Sequence, residues 1–124
     1  MPEKHLSSQF DADLNTISSR LMELGGLVES QIRQAIYALS QLSKEAAEDV
    51  LHMETRINTM EVEIDREISS TIGRRQPTAR DLRLLMAMSK TTANLERVGD
   101  EAEVSRIRNS IAAQEFGSDF MDSC

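Results

Sequence analysis

The sequence predicts an all-α fold, an antiparallel up-down-up bundle of three helices. Apolar residues recur in alternating steps of three and four along most of the chain, the period of a helix with one buried face. Aromatic residues make up only 3% and tryptophan is absent. A core must therefore be built from Leu, Ile, Val, Met and Ala, a set that favours helix over sheet. No stretch shows the strict alternation of a half-buried strand. The 124 residues suit one domain with one core.

The first helix follows from Leu14, Ile17, Leu21, Leu24, Val28, Ile32, Ala35, Leu39 and Leu42. Gly25-Gly26 lies inside it, and each glycine costs about 1 kcal/mol relative to alanine there. The pair reads either as a point of close approach by a partner or as a tolerated kink. Ser40-Gln41-Leu42-Ser43 is a break. Ser43 is placed to cap a second helix, with Glu45 facing the positive end of its dipole. That helix carries Val50, Met53, Ile57, Met60, Ile64, Ile68 and Ile72, and Gly73 is its expected stop. Thr78 and Asp81 fit a capping box at the start of the third helix, whose apolar stripe reads Leu84, Met88, Leu95, Val98 and Ala102. Each helix is expected to run about 30 residues, or ~45 Å. Short loops make the neighbours antiparallel. The pattern fades after Ile111, so residues 1–113 are expected to form the helical domain and residues 114–124 a loose tail.

With 21 acidic against 14 basic residues the chain carries a net charge of −7. That balance opposes nucleic-acid binding and spontaneous attachment to anionic lipid. No apolar run approaches the ~20 residues that span a bilayer. Met1-Pro2-Glu3-Lys4-His5 lacks the apolar centre of a signal peptide. The one cysteine, Cys124, leaves no internal disulfide. A cytoplasmic protein is the expectation. No Gly-rich phosphate loop, Gly-x-Ser-x-Gly or Cys/His pairing occurs, so no catalysis is expected.

Two carboxylate pairs attract attention: Glu61 with Asp65 on the second helix, and Glu96 with Asp100 on the third. A spacing of four puts both side chains on one face, about 6 Å apart at Cβ, where they repel unless a cation bridges them. Two such pairs on adjacent helices are an all-oxygen donor set for Mg, Mn or Fe. Spacing alone does not decide it. A chain this acidic yields about three or four such spacings by chance, and this one has five. On helical wheels Glu61 and Asp65 fall about 40° and 80° from the apolar centre, and Glu96 and Asp100 about 100° and 140°. Those are flanks, equally suited to a metal layer or to solvent. His5 and His52 have no ligand partner at metal-site spacing. Arg74, Arg75, Arg80 and Arg83 surround the start of the third helix, which can hold an anion or form a solvated basic loop.

The third helix adds a resemblance. Arg75-Gln76-Pro77, then Asp81-Leu82-Arg83, Ser89-Lys90 and Leu95-Glu96-Arg97-Val98-Gly99-Asp100-Glu101-Ala102 closely resemble the PhoU family. So do Phe10 with Leu21-Met22-x-Leu24-Gly25-Gly26-Leu27-Val28-Glu29, and Ile57-Asn58-x-Met60-Glu61-x-x-Ile64-Asp65. The likeness covers roughly residues 8 to 103. It corresponds to the first of the two three-helix repeats typical of the family, and the sequence departs from the pattern after Glu103. The resemblance implies a non-enzymatic, cytoplasmic regulatory adaptor that restrains phosphate uptake and phosphate-responsive two-component signalling. The implied partners are the ATPase of the phosphate-import ATP-binding cassette transporter and the sensor histidine kinase. It also implies metal binding (Mg, Mn, Zn or Fe) at Glu61, Asp65, Glu96 and Asp100. The Ser89 to Glu103 face, with Arg97, Gly99 and Glu103, is then the expected partner surface. A repeat without its twin is expected to expose an apolar face and to self-associate as an isologous homodimer. The alternative is a helical carboxylate metal protein with a storage or redox role, although the Glu-x-x-His motif of di-iron bundles is missing.

Overall fold

A computed structural model describes residues 2–99 and 106–107. Three helices follow one another: α1 (Pro2–Gln41), α2 (Lys44–Arg75) and α3 (Ala79–Gly99). Each touches the other two, which gives the predicted up-down-up bundle. Helix α1 starts well before Leu14, with Pro2 at a first-turn position, where its fixed φ and missing N–H cost nothing. At 40 residues it is about 60 Å long.

The α1–α2 turn is tight. Leu42 takes a left-handed φ of 52°, and the Ser43 amide donates to the Ala38 carbonyl at 3.0 Å, closing α1 in a Schellman-type end. Leu42 therefore leaves the apolar stripe predicted for it and is 88% exposed. Ser43 then caps α2 as expected, its Oγ accepting from the Ala46 amide at 3.2 Å. Gly73 is not the stop of α2. The helix runs to Arg75 and ends on Gln76 in the left-handed conformation, ahead of Pro77, which has no N–H to continue it. At the start of α3 the Asp81 amide donates to Thr78 Oγ1 at 3.2 Å.

The main core joins Phe10, Ile17, Leu24 and Val28 of α1, Ile57, Ile64 and Ile68 of α2, and Leu85 of α3. Burying each such side chain contributes roughly 1.5–3 kcal/mol. A second cluster closes the hairpin end: Ala35 and Ala38 against Ala46, Ala47 and Val50, with Ile107 packed on them. Between the two clusters, buried Gln31 donates from Nε2 to the Val50 carbonyl at 3.3 Å. The stripe predicted for α3 is rotated. Leu85 and Thr92 are fully buried, whereas Leu84 and Val98 are 45% and 59% exposed. Leu85, Met88, Thr92 and Leu95 form the inward face, turned by about 60° from the predicted one. Ala102 and the 114–124 tail lie outside the described residues. A Cβ at Gly25 or Gly26 would meet nothing within 4 Å, so among the described residues no helix makes a close approach to that pair.

Candidate functional site

The rotation of α3 matters for the carboxylates. With Leu85 pointing inward, Glu96 lies only about 20° from it on the wheel. It therefore faces α2 rather than standing on an outer flank. Glu61 and Glu96, one from each helix, meet and are hydrogen-bonded, with Asp65 contributing charge beside them. Burial foremost, then the hydrogen bond to Glu96 and the charges of Glu96 and Asp65, push the Glu61 carboxyl up from 4.5 to about 7. Two carboxylates cannot sit this close without a shared proton or a cation. Whenever Glu61 holds that proton, its carboxyl is the donor and Glu96 the acceptor.

Asp65, one turn further along α2, accepts from Ser89 Oγ at 3.4 Å through Oδ1. The described carboxylates thus form a pair with a displaced third. Among the described residues no three His, Cys, Asp or Glu side chains stand together in a metal-holding group. Asp100, the fourth predicted ligand, lies outside the described residues. So does Glu103. Arg97 is exposed near the end of α3, and Gly99 is the last residue of that helix.

The predicted arginine cluster separates. Arg75 turns back to α1, where its Nε donates to Asp13 Oδ2 at 2.8 Å and its Nη1 to Gln9 Oε1 at 2.7 Å. Arg74 approaches Glu67 at 3.7 Å. Arg83 donates to the carbonyl of Ala79 within its own helix. Arg75 is a clasp between helices, which sequence reasoning missed because its partners lie more than sixty residues away.

A second concavity has no counterpart in the sequence reading. An open groove of about 690 Å³ runs between α1 and α2, lined by Arg20 and Glu23 on one side and His52, Arg56, Thr59 and Glu63 on the other. Arg56 lies about 140° from Glu61 around α2, so groove and carboxylates occupy opposite flanks. Helical spacing leaves this visible, since Arg56, Thr59 and Glu63 share a face, but it does not say that α1 frames it.

The PhoU domain model matches residues 21–104. A phosphate-specific transport system accessory protein PhoU homolog from Burkholderia sp is 57% identical over 103 residues, covering 83% of this chain and 44% of that protein. The phosphate-specific transport system accessory protein PhoU of Escherichia coli K12 is 46% identical over 100 residues, covering 81% of this chain and 42% of that protein. A homolog from Rhizobium meliloti is 36% identical over 100 residues, covering 81% of this chain and 42% of that protein. The chain spans less than half the length of these relatives. No solved structure matches it.

Proposed function

This chain belongs to the PhoU family, and on that premise we propose that it is an accessory regulator of phosphate transport. The observation that carries the reading is the family match over residues 21–104, together with relatives whose names state that role. It acts by contact rather than by chemistry, in the cytoplasm, as a homodimer. It restrains phosphate uptake and phosphate-responsive signalling through the ATPase of the phosphate transporter and the sensor kinase. No described helix is long and apolar enough to cross a membrane. The Ser89 to Glu103 face is the proposed contact surface, with exposed Arg97 at its described end.

The same face binds a divalent or iron cation in this reading. The support is the Glu61–Glu96 pair, where a cation would take the place of the shared proton. Glu61 and Glu96 would hold it, joined by Asp65 and Asp100, and it would tie α2 to α3. The donors are all oxygen, which suits Mg, Mn or Fe better than Zn.

The test is retention of the purified transporter ATPase or the sensor kinase by the immobilised chain, repeated with Arg97→Glu and with Asp100→Lys. Retention lost in either variant supports the reading. Absence of retention by the parent chain overturns the adaptor role, and equal retention by both variants overturns this face. Calorimetric titration with Mn, compared with Glu96→Gln, examines the cation separately: heat that disappears in the variant is the expected result.

A further inference from the structure

The α1–α2 groove lies on the side of the hairpin that α3 does not cover, and none of its lining residues belongs to α3. Its own formal charges cancel. Two arginines, Arg20 and Arg56, balance two glutamates, Glu23 and Glu63, in a chain whose net charge is −7. Two copies of so acidic a chain repel one another overall, and at a face without net charge that repulsion is weakened.

The order of the charges is as informative as their sum. Arg56 and Glu63 are seven residues apart on α2, two turns or about 10 Å, and within about 20° of one another around the helix. An antiparallel crossing of two α2 helices between Thr59 and Met60 sets Arg56 of each copy against Glu63 of the other, twice. Among the described residues Arg56 has no ion pair within its own chain. Glu63 is held only by Arg20 at 3.9 Å, with both side chains about half exposed, a weak attachment. The shape agrees. A second hollow, of about 480 Å³, shares Thr55, Thr59 and Glu63 with the first. That hollow is lined by α2 residues alone, so Thr55 and Thr59 leave a low strip on the exposed side of the helix, where a second helix can pack closely.

We propose that this groove is a self-complementary face through which two copies of the chain pair about a two-fold axis, with α2 packed antiparallel on α2. The inference rests on the homodimer reading above and names its surface. The occupant is a second copy rather than a foreign helix, because each copy supplies both the charge and its complement in the register a two-fold axis requires.

Sedimentation equilibrium of the full chain tests it, with Arg56→Glu and Glu63→Arg made separately and then mixed. Both positions are exposed, so neither change disturbs the core. The parent chain is expected to dimerise and each variant to weaken the dimer about tenfold or more, with two like charges brought face to face. The equimolar mixture is expected to recover pairing, because one variant offers two carboxylates and the other two guanidiniums. Net charge alone predicts otherwise, since Glu63→Arg makes the chain less acidic and would then pair better. A parent dimer left intact by both variants, or a mixture that stays monomeric, overturns the groove but not the dimer. A monomeric parent at 100 µM overturns both. A monomeric parent whose Arg56→Glu variant alone loses the transporter ATPase assigns the groove to that protein and overturns self-pairing.

Discussion

Among the described residues, Glu61 has the carboxyl whose state depends most on its surroundings. Its folded value near 7 lies above the ordinary 4.5, so the native state holds a proton that the unfolded chain gives up first. The stabilising effect of that proton is complete below about pH 4.5. It declines as pH rises toward 7 and is gone above that. Glu61→Gln keeps a donor for Glu96 and removes the titration. Urea unfolding should therefore find the variant and parent alike near pH 4, and the variant more stable by roughly 1 kcal/mol at pH 8, after allowing for solvent screening. A difference that does not vary with pH would contradict a shared proton. At this scale the sequence was only partly legible. It offered Glu61 and Glu96 as flank residues among five equivalent spacings. The α3 stripe expected from Leu84, Met88, Leu95, Val98 and Ala102 takes in the exposed Leu84 and Val98, since an exposed leucine and a buried one look alike in sequence. Thr92 is fully buried and satisfies its hydroxyl on the Met88 carbonyl at 3.0 Å, so its polarity concealed the true inward face.

Elements were read more easily than their ends. Three helices and their antiparallel order follow from period and short turns, and the Ser43 cap was placed correctly because capping is local chemistry. The stop of α2 was misplaced because glycine is the usual left-handed residue, whereas here Gln76 adopts φ 48° and Pro77 enforces the ending. What fastens the elements is not local at all. The Arg75 guanidinium, with its side chain 21% exposed against 17% for Asp13, bonds the last turn of α2 to the early part of α1. Arg75→Ala leaves Asp13 half-buried without its cation, and is expected to lower stability by about 1–2 kcal/mol. Thermal unfolding would show the loss. Hydrogen exchange would place its onset at the Gln9–Asp13 segment of α1 rather than at the hairpin turn.

At the scale of the molecule, the bundle has a leucine- and isoleucine-rich middle and an alanine-lined end that Ile107 closes. Among the described residues Ile107, 1% exposed, packs on those alanines together with Leu39 and Val50. Ile107→Ala should cost about 2–4 kcal/mol, measured by chemical denaturation. A cost below about 0.5 kcal/mol would mean that this end is held together without it. The two flanks of α2 divide the work: acidic toward α3, charge-balanced toward solvent beside α1.

The two-residue turn at Leu42-Ser43 also sets an order in time. Helices joined so closely meet first near the turn, through contacts of short sequence separation, the kind that form fastest. As the chain leaves the ribosome, α1 and α2 can pair before α3 has been synthesised. The groove draws its lining from α1 and α2 alone, while the carboxylate pair must wait for Glu96 to arrive. On the two readings proposed above, self-pairing would come before any uptake of a cation.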